Sequence, residues 1–298
     1  MDWASELRRD VSAFNEFVDA LPSGTYPRMI GADLSGLDLR TARIAGCDLS
    51  GADLTGATVL ASDLSRCRLE AAKLDGAVLE GPDVEVVAQV RLLWQGAAAW
   101  NAWRTGHRPG LLVGVDLRGA NLRGADLSGV SFTGARLDRA DLKETRLDDA
   151  SFVGASLREA DFTGVEAARL KLTNADASQA WFHGARLAWP EMDRFVVERG
   201  KLIGATLDSP IANGLAGSGA DFSSATIRGG VLSSADLRGA RFSGAVIEGC
   251  LLDDADLRAA NFDDARLDGT LLVGAKIEGT SFQGTTGADL EGTDPGEA

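Results

Sequence analysis

ADLRAANFDDARLDG, residues Ala255 to Gly269, states one unit three times: alanine, a polar residue, then leucine or phenylalanine. Ala255, Ala260 and Ala265 carry the beat, and Leu257, Phe262 and Leu267 follow two places behind. A helix keeps one face at a period of 3.6 and a flat strand at 2, so neither holds a face on this beat. A chain that turns inward twice in every unit must bend after each one. Four bends close a square coil of about twenty residues, and successive coils pair as parallel strands ~4.8 Å apart.

Outward from that stretch, the large apolar residue recurs as a slot through most of the chain. A first block holds Leu34, Leu39, Ile44, Leu49, Leu54, Val59, Leu64, Leu69, Leu74 and Leu79. A second block runs in a new phase from Leu117 to Phe282. Of its 34 slots, 30 hold Leu, Ile, Phe, Val or Met, the exceptions being Ala167, Ala177, Ala212 and Gly217. The small residue two places before each slot also points inward. Such a solenoid fills its interior with side chains, so no cofactor is expected there.

The units ADLSG, ANLRG, ADLRG and ANFDD carry the pattern A-[D/N]-[L/F]-x-x, and by it the chain resembles the pentapeptide-repeat family. The resemblance implies an all-β fold, a right-handed quadrilateral parallel β-helix, here with two α-helical caps. Cys47, Cys67 and Cys250 fall at the small inward position, where cysteine acts as a small hydrophobe.

Two segments break the beat with helical spacing. Residues 3–21 place Leu7, Val11, Phe14, Phe17, Val18 and Leu21 on one face ahead of Pro22. Residues 84–104 do so with Val87, Val90, Leu93, Trp94, Ala97, Trp100 and Trp103, with Asp83 as N-cap and Gly106 and Pro109 beyond. AFNEF at Ala13–Phe17 and AWNAW at Ala99–Trp103 share a pattern, and each precedes a repeat block. Each helix is read as a lid on an otherwise open coil end. Within the second block, Pro190 and Phe195 occupy small-residue positions, which predicts a helical excursion near 188–200. SPIANGLAGSG predicts another near 209–219. Trp181 and Trp189 flank the first, either as outward anchors for a partner or as cover for the excursion itself.

The expected organisation is therefore a capping helix in 1–30 and a first repeat block in 31–82. A second capping helix in 83–110 precedes a long β-helix in 111–284, and 285–298 form a flexible acidic tail. The N-terminal MDWASELRRDV lacks an apolar stretch and no apolar run approaches the ~18 residues of a membrane span, so a cytoplasmic protein away from membranes is expected.

Net charge is −14, which argues against direct nucleic-acid binding. It is uneven: residues 1–116 carry −5, residues 117–219 carry −1 and residues 220–298 carry −8. The sequence holds no HExxH, CxxC, GxSxG, P-loop or GxGxxG, and its only histidines are His107 and His183. Asp253, Asp254, Asp263 and Asp264 form pairs, but slots 252 and 262 fall on opposite sides of a coil, so a solvated acidic belt is expected rather than a cation site. No enzymatic activity, metal or cofactor is expected.

Two readings of function stand side by side. The best-understood members of the family resemble duplex DNA in shape and charge and bind type II topoisomerases, protecting DNA gyrase from quinolones or peptide toxins. The resemblance implies such a DNA-mimicking, resistance-conferring partner of gyrase. Forty ångström of duplex carries roughly 24 negative charges, however, against −14 for this whole chain. QGTTGADLEGTDPGEA also departs from the dimer-forming terminal helix of those proteins. The other reading is a rigid scaffold that binds some other protein or a second copy of itself. Its surface would be the run in GGVLSS, GCLLDD and GTLLVG, where Val231, Leu251 and Leu271 stand one coil apart, continued by Ile211 if the stretch there keeps register. The rivals are cover of that run by the tail through Leu290 and a patch without a role.

Overall fold

The computed structural model describes residues 2–296. Helices α1 (Trp3–Arg9) and α2 (Val11–Asp19) precede a first run of coils, which contains β1 (Thr58–Leu60), α3 (Ala61–Leu64) and β2 (Val78–Glu80). Helices α4 (Val84–Gln95) and α5 (Ala97–Arg104) precede a second run with β3 (Glu166–Ala168), β4 (Arg186–Ala188), β5 (Thr206–Asp208), β6 (Thr226–Arg228) and β7 (Val246–Glu248). A pair of helices thus precedes each run of coils.

Each segment read as one helix is broken into two. Asp10 is extended (φ −158°, ψ 106°), and its carboxylate accepts from the N–H groups of Ser12 and Ala13, which starts α2 afresh. Gly96, at φ 98°, separates α4 from α5. Asp83 makes no side-chain cap; its carbonyl accepts from Val87 instead.

In the second run, parallel bridges join Leu111 to Ser131, Asp116 to Arg136, Asn121 to Asp141 and Asp126 to Arg146. The same four columns continue upward in steps of 20 residues, as in Ile211–Val231–Leu251–Leu271, until a last step of 18 from Lys276 to Asp294. Each coil thus has four sides. Strands β3 to β7 lie along the fourth column in sequential parallel order. Slot and small residues are buried together, and the phenylalanines stack: Phe242 lies 4.6 Å from Phe262, nearly parallel.

The corners show why the unit reads as it does. At Leu117–Ala120, the Ala120 N–H donates to the Leu117 carbonyl at 3.0 Å, and Gly119 takes φ 73°, the pattern of a type II turn. The Asp or Asn before each slot accepts, through its own side chain, from the N–H two residues on. Asp116 to Arg118 (3.2 Å), Asp161 to Thr163 (2.9 Å) and Asn261 to Asp263 (2.9 Å) are examples. The polar residue of the unit is therefore a turn builder as well as a solvated group.

Three expectations are corrected. Residues 188–200 and 209–219 make no excursion: Glu191 bridges Ile211, Val196 bridges Ala216, and the coil stays in register. Pro190 fits because the corners that follow strands β3 to β7 are open, unlike those at Val130, Ala150 and Thr270 on the same column. Arg186–Ala188 forms strand there, and neither Leu170 N nor Cys250 N closes a turn, so a residue lacking an N–H costs nothing at that position. Phe195 is fully buried and meets Phe182 edge-on at 6.2 Å. Size is exchanged rather than added nearby: Leu215 at a small position fills the space over slot Gly217, where a Cβ would lie 2.8 Å from it.

The tail is corrected as well. Ala288–Gly292, ADLEG, is a further repeat unit out of phase with the others. Glu291 N–H donates to the Asp289 carboxylate at 3.0 Å, Thr293 N–H turns back to Leu290, and Asp294 bridges Lys276. Residues 297 and 298 of the expected tail lie outside the described residues. In the first block, finally, α3 occupies a side where the sequence predicts coil, so only three columns are bridged: Arg28–Asp48–Arg68, Asp33–Asp53–Lys73 and Asp38–Thr58–Val78.

Candidate functional site

Polar residues occupy most outward positions of the bridge columns, so an apolar run on the outside needs an explanation. On the first column of the second block, Glu191 is followed by Ile211, Val231, Leu251 and Leu271 in unbroken parallel pairing. Ile211 is 47% and Leu271 46% exposed, while Val231 and Leu251 are half-buried between them. At ~4.8 Å per coil the four side chains form a ridge roughly 14 Å long. The other columns at this height mix charge and polarity, as in Lys201–Asp221–Arg241–Asn261.

The sequence reading missed two neighbours of this ridge. Val273, 55% exposed, stands two residues past Leu271, where other coils of this side carry Ser233 or Asp253. Trp189 is 59% exposed at the corner leading into the Glu191 position, below Ile211. With no excursion to cover, its indole faces outward. Trp181 is also outward, at 41%, but it belongs to the Asp161–Trp181–Lys201 column on the opposite side and does not join the ridge. The tail leaves the ridge uncovered. With the tail in place Leu271 and Val273 stay 46% and 55% exposed, and Leu290 is itself 39% exposed.

The aspartate pairs separate as their spacing predicts. Asp253 and Asp254 follow Leu251 on the ridge side; Asp263 and Asp264 follow Asn261 on the opposite one. Asp263 accepts from Ser281, Asn261 and the Gln283 N–H, which holds its carboxyl below the usual range, the Ser281 hydroxyl contributing most. Asp254 and Asp264 sit at corners with φ 57° and 59°, a conformation that aspartate tolerates better than most residues. Among the described residues no group of three His, Cys, Asp or Glu is placed to hold a metal ion. All three cysteines are buried and free, and burial pushes the Cys47 thiol up to about 12, which leaves it inert. No helix of the described residues is long and apolar enough to cross a membrane.

Geometry and sequence meet in the repeat itself. The pattern defining pentapeptide repeats matches in 8 copies, over residues 28–58, 111–149, 150–187, 218–254 and 250–294, more than half of the chain. The chain belongs to the pentapeptide-repeat family. Among solved pentapeptide-repeat proteins it is similar to HetL, a protein involved in heterocyst differentiation regulation from the cyanobacterium Nostoc sp. strain PCC 7120. The two are 28% identical over 65% of this chain and 94% of HetL, with a TM-score of 0.40. It is also similar to full-length QnrB1, a plasmid-mediated fluoroquinolone resistance protein. There the identity is 20%, the coverage 60% of this chain and 92% of QnrB1, and the TM-score 0.41. No curated protein matches the chain. Likeness at this level speaks to the repeat and not to a shared partner.

Proposed function

We propose that this pentapeptide-repeat protein is a non-enzymatic scaffold that docks a protein partner on the side bearing Ile211, Val231, Leu251 and Leu271. The single observation that carries this reading is the continuity of that ridge, widened by Val273 and Trp189, where the other columns break every apolar run with charged or polar residues. Burying the ridge side chains contributes roughly 5–8 kcal/mol before association costs, enough for a modest interface. The ridge side carries Asp253 and Asp254 and no Lys or Arg from Ile211 to Gly214, Val231 to Ser234 or Leu251 to Asp254. A partner offering apolar residues rimmed by basic ones fits it, whereas a second copy brings acid against acid. The same reading takes the coil as right-handed, the paired helices as lids and the protein as cytoplasmic.

Leu251→Asp tests the proposal. It should leave circular dichroism and melting temperature nearly unchanged and abolish capture of the partner. Retained partner binding would remove the ridge from consideration, and loss of fold would mean that Leu251 belongs to the core.

The alternative, a DNA-mimicking modulator of DNA gyrase or another type II topoisomerase, draws on the −8 carried by residues 220–298. The acidic groups behind that net figure stand among local ion pairs, Asp236 with Arg238, Asp256 with Arg258 and Glu248 with Arg228. A duplex mimic needs unpaired rows. A gyrase supercoiling assay with a quinolone separates the two readings: inhibition or protection at micromolar protein favours the mimic, and no effect favours the scaffold.

A further inference from the structure

The two repeat blocks meet along a cleft of about 790 Å³ that, in a protein of net charge −14, is lined by six arginines. Arg28 and Arg68 come from the first block; Arg118, Arg136, Arg139 and Arg158 come from the second. Most are held from one side by a carboxylate. Asp116 is fully buried, receives Arg118 through Nε and Nη2, and lies 3.5 Å from Arg136. Glu159 fixes Arg139 through two bonds, and Asp176 fixes Arg158 at 2.6 Å. Each of these pairings uses a minority of the guanidinium N–H donors and orients the remainder.

Three carboxylates also line the cleft, and each is already engaged. Asp48 accepts from Ser50, Asp138 from Ser156 and the Arg158 N–H, and Glu159 from Arg139. Arg28, in contrast, makes no ion pair among the described residues. Two guanidinium groups share the single carboxylate of Asp116. The Tyr26 ring, packed on the backbone at Gly46, supports the Arg136 guanidinium at 5.0 Å from its centroid and fixes its plane.

We propose that this cleft binds a small multivalent oxyanion, a phosphoryl or polycarboxylate group, between Arg28 of the first block and Arg136 and Arg139 of the second. Planar guanidinium forks match both chemistries, and pre-oriented donors bind without the ordering cost that flexible surface lysines incur. Because the arginines come from both blocks, the ligand ties the two modules together.

Calorimetric titration of the full-length protein with pyrophosphate, and separately with citrate, at constant ionic strength tests the proposal. Saturable one-site binding of at least one of them is expected, and which one binds identifies the oxyanion class. Arg28→Gln combined with Arg139→Gln should weaken it tenfold or more with unchanged circular dichroism, since Arg28 supports no carboxylate and Arg139 is exposed. The bound anion should also raise the melting temperature of the parent chain but not of the double variant. Absence of binding by both anions, binding that follows ionic strength alone, or binding that survives the double substitution overturns the proposal.

Discussion

Asn15 and Asn101 make the same pair of bonds to different coils. The Asn15 amide donates to the Thr41 carbonyl at 2.8 Å while its oxygen accepts from the Arg43 N–H at 2.8 Å. The Asn101 amide donates to the Gly124 carbonyl at 3.0 Å while its oxygen accepts from the Asp126 N–H at 2.8 Å. Each side chain stands in for the strand that a coil edge lacks, next to a fully buried aromatic, Phe14 in one case and Trp100 in the other. The correspondence of AFNEF and AWNAW is thus kept at the level of single atoms. Asn101→Ala should cost about 1–2 kcal/mol in urea unfolding, and Asn101→Asp, which keeps the acceptor and loses the donor, should recover part of it. Equal stability of Asn101→Ala and the parent chain would remove the edge-pairing role.

Phe262 lies between Phe242 at 4.6 Å and Phe282 at 5.4 Å, fully buried. Phe262→Ala should cost about 3–5 kcal/mol, with Leu257→Ala at about 2–5 kcal/mol. Asp264→Asn, at an exposed corner whose positive φ asparagine also tolerates, should stay within about 0.5 kcal/mol. Chemical denaturation that ranks the three otherwise contradicts the assigned register.

Gly217 and Leu215 exchange size across neighbouring positions. Gly217→Ala sets a Cβ 2.8 Å from Leu215 and 3.0 Å from Leu237, so a loss of about 1–3 kcal/mol is expected. Adding Leu215→Ala should restore part of that loss. A double-mutant cycle showing simple additivity would mean that the two residues do not compete for the same volume.

Asp236 and Asp256 each accept a hydrogen bond from the guanidinium two residues on, Arg238 and Arg258, which holds both carboxyls below the usual range. With folded values below the unfolded ~3.9, the native state binds fewer protons. The stabilisation is therefore full above that pH and lost as pH falls through the folded values. Melting temperature should be level from about pH 7 to 5 and drop below about 4. In Arg238→Gln with Arg258→Gln the acid drop should be shallower, and an unchanged drop would assign it to other carboxylates.

The coil was legible because its signal is redundant: any three units around Leu257 repeat it. What escaped the reading was local exception. Pro190 looked like a break because the pattern does not reveal that the corners after strands β3 to β7 close no turn through their N–H. The split at Asp10 was hidden by helical spacing that continues on both sides of it. ADLEG was overlooked because it stands out of phase with Phe282. The ridge of Val231, Leu251 and Leu271 could be read from spacing alone, since the repeat fixes which residues share a side. The arginine cleft could not, because Arg28 and Arg136 meet only through the packing of one block on the other.

The pitch of 20 residues per coil, seen in every step of the Ile211–Leu271 column, has a consequence for how such a chain tolerates change in length. Removing one full circuit, such as residues 231–250, keeps every later residue on its original side and shortens the rod by ~4.8 Å. Removing a single unit leaves the core alternation intact yet rotates everything beyond it by a quarter turn. The interior is blind to that rotation, while the exterior is completely re-dealt: Leu251 and Leu271 would move to another wall, away from Ile211. Gain and loss of units can thus redraw the surface of this protein without altering the composition of its core.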